Sequence, residues 1–337
     1  MVLCGLKKFI RSDRFFSLFE QAILSGTNFL VVLLAARQLS KEEWGVYSLG
    51  YAILMFAQGF QRSLVVLPMI SFAPTTDLLF NDGRFWFKAQ LMLTAIVLTL
   101  LATIIFVARE VGPTWLVEAI GVSLILSPFA FFHEFLRRWL IQEGKLPYLL
   151  PMVFVYFVVC STGLLLGLDS VRDAWVVATV VALAAALASA YGALKVTRLT
   201  SSGPPFFTRL KEVRHFGAWS SLSHIAFSMY NTAVQAILAS FSGPVAVGVF
   251  SATRNLIQPI QVLILAVDAV DKPRASAALA RDGIGGMVAS LGKTSRTLIF
   301  VGSAYLIATA LMGSDLLHVF YGGKYDSHVS ELWLWIG

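Results

Sequence analysis

Apolar runs, each long enough to cross a bilayer as a helix, follow one another along almost the whole chain. About 20 helical residues span a hydrocarbon core of roughly 30 Å. Long, uniform runs predict helices rather than barrel strands, because backbone polar groups in lipid must bond internally. We therefore expect an all-α polytopic membrane protein. The runs lie at roughly 15–36, 46–70, 87–108, 114–132, 148–168, 174–194, 216–241, 246–270 and 294–313, and a tenth begins near residue 328.

Little of the chain remains for a soluble domain. Only 13% of the residues are charged, whereas soluble domains carry about 25%. The basic start is followed at once by a full-length apolar run, which predicts a first transmembrane helix and no cleavable signal peptide. Cys4 and Cys160 form no spaced pair, so we expect neither a metal nor a redox motif, and no cofactor.

The basic residues predict an orientation. With a cytoplasmic N-terminus, 19 of the 26 Lys and Arg residues fall in inside segments and five in outside segments. This asymmetry obeys the positive-inside rule. Because the charges are spread over five short loops, the high pI predicts no nucleic-acid partner. The two remaining basic residues, Arg62 and Arg254, lie inside predicted spans.

Two stretches of the chain, 203 residues apart, carry similar polar marks. Nine residues are identical at this offset over 17–58. Six runs separate the copies, and an even number means that both have one orientation, which predicts parallel repeats. We expect a six-helix transmembrane bundle at 1–198 and a partial bundle of about three and a half helices at 199–337, with the second repeat truncated. The recurring residues include Ser25, Asn28, Gly45, Val46, Ser48 and Gln58, which match Ser228, Asn231, Gly248, Val249, Ser251 and Gln261.

Four of the runs carry polar residues along one helical face. In a membrane such faces turn toward the protein interior or toward a water-filled cavity. Ser, Asn and Gln can also simply join helices, at about 0.6 kcal/mol each. The candidate cavity residues on these faces are Gln21, Asn28, Gln58, His224, Asn231, Gln258 and Gln261.

Charged residues inside spans are the stronger functional signal. A central arginine costs on the order of 3 kcal/mol to insert, so Arg62 and Arg254 are candidate ligands for an anionic substrate. The alternative for Arg62 is that it snorkels to the interface or pairs with Asp268. Glu20 and Asp268 are candidates for ion coupling, although Glu20 could instead pair with a nearby basic residue.

One helix end carries charges at helical spacing. Glu134 precedes Arg137 by three residues and Arg138 by four, and His133 lies beside it. Such spacings predict i,i+3 and i,i+4 ion pairs at the cytoplasmic end of the fourth run.

Several segments resemble those of a known family. Residues 18–53 read LFEQAILSGTNFLVVLLAARQLSKEEWGVYSLGYAI, and this is similar to the first two helices of bacterial polysaccharide (Wzx-type) flippases. These proteins belong to the multidrug/oligosaccharidyl-lipid/polysaccharide exporter (MOP) superfamily, so the resemblance implies a MATE-like fold. Similar segments are RRWLIQEGK at 137–145, HFGAWSS at 215–221 and LHVFYGGKY at 317–325.

The resemblance also implies a function. Family members carry an undecaprenyl-pyrophosphate-linked oligosaccharide across the bacterial cytoplasmic (inner) membrane by alternating access, for surface polysaccharide or lipopolysaccharide synthesis. The lipid bilayer and other polysaccharide-assembly membrane proteins are the implied partners. Arg62 and Arg254 would then bind the pyrophosphate, since guanidinium pairs bidentately with phosphate oxygens. Gln58, Gln261, Asn28 and Asn231 would bond sugar hydroxyls.

Three alternatives remain open at this point. An ion-coupled multidrug exporter of the same superfamily would favour acidic cavity residues. A membrane glycosyltransferase or polymerase would need a carboxylate pair in a structured outer loop, which the short predicted loops do not offer. A truncated, non-transporting fragment is the third alternative.

Overall fold

All regular structure that the computed structural model describes is helical, as predicted. The described residues are 13–72, 83–167, 173–196 and 205–335. The helices are α1 (Asp13–Gln38), α2 (Lys41–Gln61), α3 (Leu67–Phe72), α4 (Gly83–Val111), α5 (Thr114–Gln142), α6 (Leu149–Leu166), α7 (Ala174–Ala193), α8 (Phe206–Ser228), α9 (Val234–Leu311), α10 (Gly313–Tyr321) and α11 (Val329–Trp333).

Within the described residues, eight helical segments are long and apolar enough to cross a membrane. The predicted run at 216–241 is divided between α8 and α9, and α8 is not among the eight, because charged residues occupy its first half. The polar stretch at 271–293 belongs to α9. Hydropathy locates apolar segments but not helix ends. It could therefore predict neither the division of the run at 216–241 nor the helical structure of the polar stretch. The eight segments are Phe19–Gln38, Lys41–Phe72, Gly83–Val111, Thr114–Gln142, Leu146–Leu166, Ala174–Ala193, Val234–Ile260 and Arg281–Leu311.

Helix α9 folds back on itself. Its 78 residues would extend about 117 Å if straight. However, the Tyr305 hydroxyl donates to the Leu256 carbonyl at 2.6 Å, across 49 residues of sequence. Gly283 lies between them with φ of 64°, a left-handed conformation that glycine adopts without steric cost. The chain therefore reverses near Gly283, and the segments before and after it pack side by side.

Two π-helical segments interrupt the regular helices. Arg62–Val66 joins α2 to α3, and Met229–Ala233 joins α8 to α9. Single π-helical turns are rare and are found frequently at functional sites. The first of them places the candidate residue Arg62 at its start.

The chain divides into two compact units, Met1–Gly248 and Val249–Gly337. Each unit is described by itself below. The repeat, and the bundle boundary at 198/199 derived from it, stay predictions.

Hydrogen bonds between helix ends show which ends of the spans in the first unit lie at the same side. At one side, Gln38 near the end of α1 donates to the Leu164 carbonyl near the end of α6, at 2.9 Å. The Glu43 carboxylate in the first turn of α2 accepts from the Ala174 backbone N–H at the start of α7, at 2.8 Å. The first and fifth spans thus end at this side, and the second and sixth begin there, which is the parity that the predicted orientation requires of these four spans.

Helices α2 and α5 approach each other closely at Gly50. A Cβ at Gly50 would lie 2.5 Å from the Ala119 carbonyl oxygen and 2.7 Å from a Val122 methyl group. Contact of this kind between backbones is typical of membrane helices, which associate through small residues.

We expect Gly50→Val to push α2 away from α5. Overpacking of this size destabilises a protein by about 1–3 kcal/mol, so the melting temperature of the purified protein in detergent should fall. Gly26→Val on α1 is the matched control, since a Cβ there meets nothing within 4 Å. Equal melting temperatures for the two variants would contradict the packing described here.

Candidate functional site: a buried arginine–carboxylate network

A buried arginine lies at the centre of the charged residues in the first unit. The Arg137 side chain on α5 is 2% exposed. Its Nη1 donates to Glu20 Oε1 on α1 at 2.7 Å, and its Nε and Nη2 donate to Glu134 Oε2 at 3.0 and 2.6 Å. Nη1 also lies 3.3 Å from the Gln21 side-chain oxygen. Arg137 thereby joins α1 to α5 through two carboxylates.

The second carboxylate of the network, Glu134, meets three arginines. While Oε2 accepts from Arg137, Oε1 accepts from Arg138 Nε at 3.0 Å and lies 3.4 Å from Arg62 Nε. The Glu134 side chain is 5% exposed, whereas those of Arg62 and Arg138 are 51% and 33% exposed. Of the ion-paired residues, Glu20, Glu134 and Arg137 are therefore buried, whereas Arg62 and Arg138 are partly exposed.

Ion pairs and hydrogen bonds within the network offset the free-energy cost of burying its charged side chains. Removing one ion from water costs several kcal/mol even after relaxation, and good geometry with further hydrogen bonds must offset it. A carboxylate has about four lone-pair sites and a guanidinium has five donors. Glu134 and Arg137 use most of these within the network. The three arginines exceed the two carboxylates, so with all groups ionised the cluster has a net charge of +1.

Buried amides fix the end of α2 beside this network. Gln61 Nε2 donates to Gln90 Oε1 on α4 at 3.0 Å and to the Phe131 carbonyl on α5 at 2.8 Å. Gln90 Nε2 in turn donates to Thr94 Oγ1 at 3.0 Å. Because Gln61 immediately precedes Arg62, these bonds hold the backbone from which Arg62 extends.

Several predicted cavity residues of the first unit make helix-to-helix contacts. The Tyr156 hydroxyl donates to Asn28 Oδ1 at 3.4 Å. Gln58 is 8% exposed, and Gln21 is exposed beside the network. The side chain of Asn231 lies outside the described residues.

His224 lies at a close contact between α8 and α2. Its Nε2 is 2.9 Å from the Phe56 carbonyl oxygen, and its ring packs near those of Phe56 and Phe60 at 5.8 and 5.4 Å between centroids. A Cβ at Gly59 would overlap the imidazole. These contacts fit a residue that joins two helices.

In the second unit, Arg254 lies near an indole. Its guanidinium carbon is 6.0 Å from the ring centroid of Trp335, within the range of cation–π attraction. The Trp335 Nε1 donates to Thr253 Oγ1 at 3.2 Å, which orients the ring. Gln258 is half-buried one turn further along α9. The side chains of Gln261 and Asp268 lie outside the described residues.

The segment LHVFYGGKY forms a tight turn that docks on α9. Gly322 and Gly323 have positive φ, and the Tyr321 hydroxyl donates to the Ala252 carbonyl at 2.9 Å. His318 Nδ1 and Asp326 Oδ2 are 2.8 Å apart across the turn. Burial raises the pKa of the Tyr325 hydroxyl above its usual value, so that the group stays neutral. The position of this segment indicates a structural role.

Sequence reasoning did not select Arg137, Glu134, Gln61 and Gln90 as site residues. The signal available for the first two was Glu-x-x-Arg-Arg at the end of an apolar run, and for the amides it was glutamine inside an apolar run. The spacing did predict the ion pairs of Glu134 with Arg137 and Arg138, which the structure contains. Among the described residues, no group of His, Cys, Asp and Glu could hold a metal ion.

Replacing Arg137 should lower the free energy of unfolding. In Arg137→Gln the Glu20 carboxylate loses its ion-pair partner in a buried site, and we expect a loss of about 3–5 kcal/mol in the free energy of unfolding. Glu20→Gln in the same chain should restore part of that loss, because the buried charge is then absent. Thermal unfolding in detergent measures both. Additive effects of the two substitutions would contradict a direct pair.

Comparison with known proteins supports the fold. No protein-family profile and no curated protein matches the chain. Among solved structures, the chain is similar to one described as "Inward-facing conformation of a multidrug resistance MATE family transporter of the MOP superfamily". The TM-score is 0.71 at 16% sequence identity, over 92% of this chain and 76% of the other. The predicted MATE-like fold is thus confirmed, and the chain is an all-helical, multi-pass membrane protein.

Proposed function

We propose that the protein carries a lipid-linked oligosaccharide of the undecaprenyl-pyrophosphate type across the bacterial cytoplasmic membrane by alternating access. It would act in surface polysaccharide or lipopolysaccharide synthesis, with the N-terminus in the cytoplasm. The fold shared with a transporter supports transport in general, and the resemblance of residues 18–53 supports this class of substrate.

The observation that carries the proposal is the half-exposed Arg62, which lies within the span Lys41–Phe72. Its side chain is 51% exposed and lies 3.4 Å from a carboxylate that two other arginines already neutralise. Insertion of such a residue in a membrane is unfavourable, which usually marks a functional role. A guanidinium in this setting is suited to a phosphate group, which it binds bidentately. Arg254, beside Trp335 in the second unit, is the other proposed anion ligand.

The polar residues supply the second part of the substrate site. Gln58, Asn28 and Gln258 carry amides that can donate to and accept from sugar hydroxyls. Asn231 and Gln261 remain candidates from their helical spacing. Because amides carry no charge, Asn and Gln would bind the sugar, and the arginines would bind the pyrophosphate.

A multidrug exporter is the second candidate, because the similar solved structure is described as a multidrug resistance transporter. Cationic drugs require acidic residues that are available to them. Both Glu20 and Glu134 are instead bound by arginine. The net positive charge of the network therefore favours an anionic substrate.

Replacing either proposed ligand should reduce transport. In bacteria that depend on this gene, Arg62→Gln and Arg254→Gln should each lower surface polysaccharide by about tenfold or more, since a hydrogen-bonded charge contributes roughly 1.5–3 kcal/mol. Arg109→Gln is the control, because Arg109 lies exposed in the last turn of α4, away from the network.

Two results would contradict the proposal. The first is surface polysaccharide that is undiminished in both variants at equal protein level. The second is a deletion strain that keeps its surface glycan but becomes sensitive to cationic dyes, which would favour the drug exporter.

A further inference from the structure

We propose that Arg62 and Arg138 together form a diphosphate-binding clamp mounted on Glu134. The clamp rests on the proposed function for its physiological ligand, but its chemistry follows from the geometry of the network. It assigns a ligand role to Arg138, whose spacing alone indicates only a helix-end ion pair.

The two arginines converge on a single atom. Arg138 Nε lies 3.0 Å and Arg62 Nε 3.4 Å from Glu134 Oε1. Arg138 extends from α5, and Arg62 extends from the π-helical segment after α2. Both Nε atoms thus lie within 3.4 Å of one carboxylate oxygen, which places the two guanidinium groups close enough for one phosphate or diphosphate group to contact both.

Both guanidinium groups keep most of their donors. A guanidinium has five N–H donors in a fixed fork. Each of these two arginines uses Nε toward Glu134, and among the described residues its terminal Nη1 and Nη2 pair is left for a second partner. That pair matches two oxygens of a phosphate group, so each arginine can bind bidentately.

The two arginines are accessible, whereas the carboxylate that pairs with both is not. The Glu134 side chain is 5% exposed, whereas those of Arg62 and Arg138 are 51% and 33% exposed. An anion can therefore reach the guanidinium groups without displacing the carboxylate.

Charge balance makes the clamp cationic. Arg137 is bound by Glu20 at 2.7 Å as well as by Glu134, so Glu134 alone faces the two outer arginines. A diphosphate would supply the missing negative charge. Glu20, Glu134 and Arg137 are accordingly positioning residues, and Arg62 and Arg138 are the ligands.

The backbone beneath the clamp is also fixed. Gln61, which is fully buried, bonds to α4 and to the Phe131 carbonyl of α5. The Gln61 amide therefore joins the end of α2, which Arg62 follows, to α5, which carries Arg138. Preorganisation of this kind reduces the entropy lost when a ligand binds.

The same phosphate chemistry could come from three sources: an isoprenyl diphosphate, free pyrophosphate or a phospholipid headgroup. A binding experiment on the purified full chain can separate them. The probes are undecaprenyl pyrophosphate in detergent micelles, inorganic pyrophosphate alone, and nanodiscs with or without phosphatidylglycerol. Binding is read as the ligand-induced rise in melting temperature, titrated to a dissociation constant.

We expect undecaprenyl pyrophosphate to bind the unsubstituted chain, and Arg138→Gln and Arg62→Gln each to weaken that binding by about tenfold or more. Arg138→Lys should recover only part of it, because an ammonium cannot bind bidentately. Inorganic pyrophosphate should bind more weakly but with the same dependence on both arginines. Arg109→Gln is the control and should bind as the unsubstituted chain does.

Folding is monitored separately, by the melting temperature of each variant without ligand. Arg138 is partly exposed, and Glu134 keeps Arg137 when Arg138 is replaced, so Arg138→Gln should melt close to the unsubstituted chain. If it does not fold, Arg138→Lys gives the deciding comparison. The clamp is overturned if both Arg138 variants bind undecaprenyl pyrophosphate as the unsubstituted chain does. It is also overturned if only phosphatidylglycerol raises the melting temperature.

The clamp and the proposed function can fail independently. Reconstituted chain that moves lipid-linked oligosaccharide while Arg138→Gln binds diphosphate normally would overturn the clamp and keep the function. Diphosphate binding that depends on Arg62 and Arg138, in a chain that moves no lipid-linked oligosaccharide, would keep the clamp and overturn the function.

Discussion

The burial of Arg137 inside a membrane-spanning bundle constrains the rest of the first unit. A guanidinium cannot lose its proton at any accessible pH, so its charge must be matched where it lies. Glu20 and Glu134 match it from α1 and α5, with contacts of 2.7 and 2.6 Å. The ends of those helices are thereby fixed to each other. Glu134 is buried because it pairs with Arg137, and it also pairs with Arg62 and Arg138.

We propose that this structural ion-pair network also provides a surface for binding an anion. Glu20 and Glu134 pair with Arg137, and the other two arginines of the network, Arg62 and Arg138, are partly exposed. Their charge and fork geometry suit a phosphate group, and the proposed transport of an isoprenyl-diphosphate sugar uses both. The drug-exporter alternative requires acidic groups that are available to a cation, and the two carboxylates described here are already bound.

The apolar runs predicted the helical class, and the described residues confirm it. The parallel repeats inferred from the even offset of 203 residues stay a prediction. The spacing predicted the ion pairs of Glu134 with Arg137 and Arg138, but not their burial or the link to α1 through Glu20. The spacing of Glu134 and Arg137 is the same whether a helix end faces water or another helix. The partner that decides between them, Glu20, is 117 residues away from Arg137 in the sequence. The reversal of α9 near Gly283 lies in the polar stretch between the predicted runs at 246–270 and 294–313, as hydropathy indicated. Hydropathy could not show that this stretch is itself helical.

We propose that this protein recognises the charged diphosphate of its substrate through arginines that Glu134 holds. Translocation in proteoliposomes that contain the full chain can test this recognition. Two substrates with the same sugar and the same isoprenyl tail are compared, one linked by a diphosphate and one by a neutral glycosidic bond. We expect only the diphosphate-linked sugar to reach the opposite leaflet. Equal movement of the two substrates would contradict it.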